Sequence, residues 1–314
     1  ISGNSNISVS EFILTCLKES EQKDFIGAIF TLIYLVTLFG NLMVMLLIMI
    51  DQQLQRPMYL CIVVLSVIDL TCSTTIVLKI LAILLFNNVV IPHNACFVQL
   101  FILQYMETLE IFLLSLMAFD RFVAINNPLR YSTVMTNKTI LASVVALNVL
   151  GIVFVGIFTV FVASFSFCST NILPYCFCDL TAMLSIACFE DARYFILTSS
   201  LGAFLIVPTF VIIVFSYMKI ITAALKTPNR DGKRKAVSTC FTHLSIVGLF
   251  YTSLFFYYVI PASAKPLGST FSGTIMMVSV VLPPMLNPLI YTFRNKEIKQ
   301  SIVRIIVRKK AATL

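Results

Sequence analysis

Charge is what this 314-residue chain has least of. Asp, Glu, Lys and Arg together make up 11% of it, against 59% hydrophobic residues. A soluble protein of this size needs far more polar surface, so this composition, with a mean hydropathy of +0.97, excludes an ordinary globular domain. Histidine is scarcer still. The two present, His93 and His243, fall on opposite sides of the apolar pattern. Neither is joined by a nucleophile–base pair or a metal-ligand cluster, so no enzyme is expected. The chain also lacks the internal self-similarity of a transporter built from matched halves. A cleavable signal peptide is not expected, because the first apolar run is long and follows a polar stretch.

What remains is apolar sequence in runs longer than the roughly 20 residues a bilayer requires. Seven crossings are predicted: Phe25–Ile50, Met58–Phe86, Cys96–Ile125, Ile140–Phe161, Tyr194–Leu225, Ala236–Ile260 and Phe271–Phe293. The expected fold is therefore an all-α membrane bundle, with residues 1–24 ahead of a 25–293 seven-helix domain and a 294–314 tail. Within the tail, Asn295–Val307 suits an interfacial amphipathic helix, with Lys299, Arg304 and Arg308 reaching headgroups. Seventeen of the 22 Lys and Arg lie on the side of the 121–138 loop, the 219–235 loop and the C-terminus. That bias places the C-terminus in the cytosol and the N-terminus outside. The net charge of +8 then points to anionic lipid and a cytosolic partner, not to nucleic acid. Asn6-Ile7-Ser8 is a glycosylation acceptor on the outer side. Cys96, Cys168, Cys176, Cys178 and Cys188 also fall there, where disulfides persist, and their spacing leaves the pairing open.

The few charges inside the crossings are the chemistry of this chain, because an ionisable group at membrane depth is costly. Asp120 and Arg121 are neighbours of opposite sign that can hold each other neutral until something separates them. Asp69 and Glu110 are two acids in mid-membrane, and a proton or a cation must compensate them. Two acids with nearby amides suit a hard cation better than one shared proton. Pro288, with Pro283 and Pro284 before it, interrupts the backbone ladder of the last crossing. Glu107 lies one turn above Glu110, and two readings of it stand: it orients a ligand bearing a hydrogen-bond donor, such as an amine, or it pairs internally with Lys79.

Read in order, Gly40-Asn41, Pro57-Met58-Tyr59, Leu65-Ser66-Val67-Ile68-Asp69, Asp120-Arg121, Asn127-Pro128-Leu129-Arg130-Tyr131, Ser216-Tyr217, Lys235-Ala236-Val237-Ser238-Thr239-Cys240 and Pro284-Met285-Leu286-Asn287-Pro288-Leu289-Ile290-Tyr291 resemble an odorant receptor. That family is a branch of the rhodopsin-like G-protein-coupled receptors, and the resemblance spans nearly the whole chain. It departs at Phe119 and Phe122, where the family usually has Tyr, at Asn126, at Val237, and at Thr242-His243 in place of Ser-His.

The resemblance implies a plasma-membrane receptor that binds a small odorant in the outer half of the bundle and activates a stimulatory G protein, raising cyclic AMP. It implies a switch made of Asp120, Arg121, Tyr217, Asn287, Pro288 and Tyr291, and a sodium ion at Asp69 and Glu110 with Asn41 and Asn287 nearby. It pairs Cys96 with Cys178 and Cys168 with Cys188, leaving Cys176 over, although spacing keeps Cys176 open as a partner of Cys96. Helical spacing and family position together put Leu103, Gln104, Glu107 and Thr108 at the ligand, with Leu201 and Leu205 from the fifth crossing and Tyr251, Phe255 and Tyr258 from the sixth. The alternatives are a non-olfactory rhodopsin-like receptor and, further off, a transporter or channel.

Overall fold

The structure, a computed structural model, describes residues 9–15, 22–167, 170–173, 175–188, 193–226, 240–255 and 269–312. Its long helices are α1 (Lys23–Ile50), α2 (Pro57–Phe86), α3 (His93–Asn126), α5 (Asn137–Ala163), α7 (Arg193–Lys226), α8 (described over Cys240–Phe255) and α9 (Ser269–Arg294). They stand within a few residues of the predicted crossings; the ends of the 236–260 crossing lie outside the described residues. Among the described residues, Lys23–Ile50, Pro57–Phe86, Asn137–Ala163 and Gly202–Ala223 are each long and apolar enough to cross a membrane. Three shorter helices complete the set: α4 (Pro128–Val134), α6 (Leu180–Ile186) and α10 (Lys296–Ala312), the last covering the predicted amphipathic segment.

The ends of these helices follow from local chemistry. Pro57 begins α2, where a missing N–H costs nothing, and the extended backbone of Arg56 precedes it. Asn87 ends that helix in the left-handed region at φ 52°, a conformation asparagine tolerates. The Thr136 hydroxyl accepts from the Thr139 N–H at 3.1 Å and caps α5.

The bundle is inverted relative to a soluble protein. Phe25, Leu32, Phe39, Val160 and Phe204 point outward and are largely exposed, as lipid-facing residues must be. Asn41, Asp69, Glu110, Asp120 and Asn287 are buried among the helices. Packing is closest where Gly40 on α1 meets α9: a Cβ at Gly40 would sit 2.9 Å from Pro288 Cγ. The same contact settles a problem that Pro288 creates. Having no N–H, Pro288 leaves the Pro284 carbonyl without its helical donor, and Asn41 Nδ2 donates to that oxygen at 3.0 Å.

An all-α fold leaves out one feature. Glu11–Leu14, Val90–Pro92 and Ile172–Leu173 (β1, β2 and β3) form a small sheet in the order β2-β1-β3. β1 runs antiparallel to β2, with Phe12 opposite Ile91, and parallel to β3, with Leu14 opposite Leu173. Phe12 and Leu14 are fully buried while Glu11 is exposed, the period-two pattern of a half-buried strand. Phe12 stacks on His93 and meets Phe167 edge-on. The N-terminal segment is thus part of one end of the bundle, joined by backbone hydrogen bonds to the loop before α3 and to the loop after α5.

Candidate functional site

Among the cavities formed by the described residues, one at each end of the bundle takes part of its wall from α3. The outer one has an internal volume of about 80 Å³. Leu103, Gln104, Glu107 and Glu110 line it from α3, at the spacing of one helical face. Facing them are Phe250, Ser253 and Leu254 of α8 and Ser279, Val280, Pro283 and Pro284 of α9, with Cys72 of α2 and Phe177 of the second outer loop. The chamber is mostly apolar with a few convergent polar groups, the usual make-up of a small-molecule site.

Several expected ligand residues stand outside that lining. Thr108 is buried, and its hydroxyl donates to the Gln104 carbonyl at 2.8 Å. Tyr251 packs on Phe210 with its hydroxyl 3.4 Å from Thr209 Oγ1, so it joins α8 to α7. Leu205 is half-buried and Phe255 mostly exposed, neither lining the cavity. Tyr258 lies outside the described residues, as does the side chain of Leu201. Lys79 does not turn to Glu107. Its ammonium donates to the carbonyls of Asn88 at 3.1 Å and Val90 at 2.9 Å, which ties α2 to the loop that follows it.

Below the cavity, the polar centre of the bundle has oxygens to spare. Asn287 Nδ2 donates to both Asp69 carboxylate oxygens, at 3.1 and 3.2 Å. Glu110 Oε1, Asn41 Oδ1 and Asn287 Oδ1 are buried without a hydrogen-bond partner. Carboxylate and amide oxygens are the donors a hard cation takes, so these residues fit a sodium ion. No cluster of three or more His, Cys, Asp or Glu suited to a metal occurs among the described residues.

At the other end of α3, Asp120 is fully buried and holds three hydrogen bonds. Arg121 donates from Nε at 3.0 Å and from Nη2 at 2.6 Å to Oδ2, and Tyr131 donates to Oδ1 at 2.9 Å. Tyr131, on α4, is a partner the sequence reading did not assign to the switch. Burial and the Asp120 charge push its phenol up to about 12, so it stays a donor. Tyr217 of α7 makes a short hydrogen bond to His243 Nδ1 of α8. Tyr217 was expected in the switch, but its pairing with His243 was unassigned. Tyr291 is buried with its hydroxyl unpartnered. Arg121, Tyr131, His243 and Tyr291 line a cavity of about 260 Å³, with Arg56, Arg294 and Lys296 also in its wall.

The C-terminal helix is fastened to the first inner loop. Arg304 Nη2 donates to Asp51 Oδ2 at 2.5 Å, and Tyr59 donates to Glu297 at 2.6 Å. Arg304 holds the Asp51 carboxyl down at about 2, from an ordinary 3.8. A depressed acid contributes stability above its unfolded value and loses it as pH falls through the folded one. Docking of α10 should therefore hold from pH 7 to about 4 and loosen toward pH 2, by about 1 kcal/mol or less for a half-buried pair at the surface. Hydrogen exchange of α10 amides checks this, with Asp51→Asn expected to lose that dependence on pH.

The outer cysteines show one expected bridge and one surprise. Cys96 is bonded to Cys178, with Cα atoms 5.4 Å apart. Cys188 is disulfide-bonded, while Cys168 lies outside the described residues. Cys176, expected to be left over, is disulfide-bonded as well. That expectation counted five outer cysteines, an odd set, and omitted Cys16 of the N-terminal segment. The glycosylation acceptor Asn6 also lies outside the described residues.

Comparison with known proteins places this geometry. The family described as olfactory receptor matches residues 30–309. Human olfactory receptor 8H1 is 37% identical over 305 residues, covering 97% of each chain. Olfactory receptor 1E1 of Pan troglodytes is 38% identical over 311 residues and 98% of each chain. Olfactory receptor 1468 of Rattus norvegicus is 37% identical over 304 residues and 96% of each.

Proposed function

The chain belongs to the olfactory receptor family, and from that premise we propose that it binds a small odorant in the outer cavity and answers by activating a stimulatory G protein that raises cyclic AMP. As a member of that family it is a multi-pass plasma-membrane receptor and not an enzyme. The observation that carries the proposal is the continuity of α3. Four of its residues line the outer cavity, and its far end carries Asp120 and Arg121 in the closed arrangement.

A ligand wedged between α3, α8 and α9 would alter how α8 sits against α7. Their cytosolic contact is the Tyr217–His243 hydrogen bond. Loss of that contact would open the inner cavity, where Arg121 could leave Asp120 for a partner. The basic wall of that cavity and the positive inner loops suit an acidic cytosolic surface. We place a sodium ion among Asp69, Glu110, Asn41 and Asn287, where it would neutralise two buried acids. The cavity's acids favour a ligand with a hydrogen-bond donor, an amine above all, with Glu107 as its anchor.

The test is cyclic AMP in cells expressing the chain, challenged with a panel divided into amines, acids and neutral odorants. A ligand-dependent rise is expected, strongest among the amines, lost in Arg121→Ala at equal surface expression and inverted in charge preference in Glu107→Lys. Equal responses to acids and amines would defeat the assignment of Glu107. A response that survives Arg121→Ala would defeat the switch.

A further inference from the structure

The cavity beside Arg121 carries more positive charge than its acids can neutralise. Arg56 just before α2, Arg121 on α3, Arg294 at the end of α9 and Lys296 at the start of α10 stand in its wall against one carboxylate, Glu297. Arg121 is held by Asp120 at 2.6 Å. Glu297 is already divided: one oxygen accepts from Tyr59 at 2.6 Å, and the other lies 3.6 Å from Arg56. The Arg294 guanidinium lies 5.0 Å from the centre of the Phe241 ring, a contact that leaves its N–H edges available. Among the described residues, neither Arg294 nor Lys296 has a carboxylate within salt-bridge distance.

Two more groups in the same wall lack a partner. The Tyr291 hydroxyl and His243 Nε2 are both buried without a hydrogen bond. With the Tyr217 O–H donating to Nδ1, the ring N–H of His243 sits on Nε2 and has no acceptor. Buried donors left unanswered are costly. The first turn of α10 is not part of the shortage, since Asn295 Oδ1 accepts from the Glu297 and Ile298 N–H groups at 2.9 and 3.3 Å. The wall therefore offers donors and positive charge and is short of acceptors. An oxyanion supplies both what the charge and what the donors lack. A volume of about 260 Å³ is several times what one water occupies, and the free cations come from three separate segments. Both facts favour a ligand with more than one charged group.

We propose that this cavity binds a small phosphorylated polyol of the inositol phosphate type, free or as a lipid headgroup, and that its occupation holds the receptor closed. The anion would join Arg56, Arg294 and Lys296, and would accept from His243 of α8 and Tyr291 of α9. It would thus tie α8 to α9 across the opening and fill the space a partner protein must enter. Closure rests on the reading in which α8 moves to release Arg121; the binding itself does not.

Binding is measured first, on the purified full-length receptor in detergent, by calorimetric titration with inositol trisphosphate at constant ionic strength. Neutral inositol is the blank. Arg294→Gln/Lys296→Gln should weaken binding at least about tenfold, since each cation supplies charge-assisted hydrogen bonds. Lys138→Gln/Lys219→Gln removes the same charge from exposed positions outside the lining and should bind as the wild type does. Equal weakening in both double variants would mean general attraction to a basic surface and would overturn the proposal. Absence of binding, or equal binding of neutral inositol, would overturn it too. Repeating the titration in phosphatidylcholine nanodiscs with and without phosphatidylinositol bisphosphate separates the two sources. Competition by the lipid supports the site with a headgroup as its occupant, and unchanged binding supports it with the free anion.

The second measurement is receptor-driven nucleotide exchange on a purified stimulatory G protein. Exchange should fall as trisphosphate rises, and the half-inhibiting concentration should be at least about tenfold higher in Arg294→Gln/Lys296→Gln. Exchange that continues unchanged at saturating trisphosphate would overturn closure. Binding in the expected pattern with no exchange under any condition supports the anion site and counts instead against coupling to that G protein.

Discussion

Asp120→Asn should raise ligand-independent cyclic AMP severalfold at unchanged surface expression. Asp120 is fully buried and receives three hydrogen bonds, two from Arg121 and one from Tyr131. The amide keeps the shape and removes the charge, so the guanidinium loses the counter-ion that holds it in place. Hydrogen bonds to charged groups contribute about 1.5–3 kcal/mol each. Losing even about 2 kcal/mol from the closed state alone moves a closed-to-open ratio by roughly thirtyfold. Tyr131→Phe removes one of the three bonds and should raise the basal signal by less. Arg121→Ala should raise nothing, because the residue that engages the partner is gone. Basal signalling unchanged in Asp120→Asn would mean that the pair anchors the helix end and takes no part in switching.

Asp69→Asn should abolish a sodium-dependent rise in melting temperature. The purified receptor in sodium chloride should melt several degrees above the same receptor in choline chloride at equal ionic strength. A ligand at a hundredfold excess over its dissociation constant adds about 2.7 kcal/mol to the state that binds it. The oxygens that would take up the ion are Glu110 Oε1, Asn41 Oδ1 and Asn287 Oδ1, each buried without a partner, beside the Asp69 carboxylate. An asparagine at position 69 removes the strongest of these donors and leaves the helices packed. Identical melting in sodium and choline would favour a shared proton on the two acids instead. A sodium effect that persists in the variant would move the ion elsewhere.

Helix positions were legible because they are set by length and by hydrophobicity. Runs of about 25 apolar residues bounded by Pro57, by Thr136 or by Asn87 leave little choice of where a membrane helix begins or ends. The buried charges were legible too, since in a chain this apolar each acid stands out. The rotation of a helix about its axis was not. Tyr251 and Phe255 were expected at the ligand from helical spacing and family position, yet α8 turns Phe250, Ser253 and Leu254 to the cavity. In a membrane both faces of a helix are apolar, so the pattern that orients a helix in water is weak here.

Contacts between distant segments were equally silent. Tyr131 reaches Asp120 from a helix that begins beyond Asn127, and nothing in its local sequence marks the pairing. The short N-terminal strand, Glu11-Phe12-Ile13-Leu14, carries three apolar residues in a row, and its period of two shows only in which of them the fold buries. Cys176 was miscounted for a related reason: the N-terminal segment was treated as outside the fold, and so was its cysteine.

The meeting of Gly40 with Pro288 has a mechanical consequence. At that level α1 and α9 touch with only the Pro288 ring between their backbones, and Asn41 grips the carbonyl freed by the proline. A rod held at one point along its length can only pivot there. Any tilt of α9 that carries Tyr291 inward on the cytosolic side must carry Ser279 and Val280 the opposite way on the outer side, where they line the cavity. The fulcrum makes the last helix a lever whose two arms end at the two cavities, so the proposed odorant chamber and the opening beside Arg121 would be geared to each other without any relay of intervening residues.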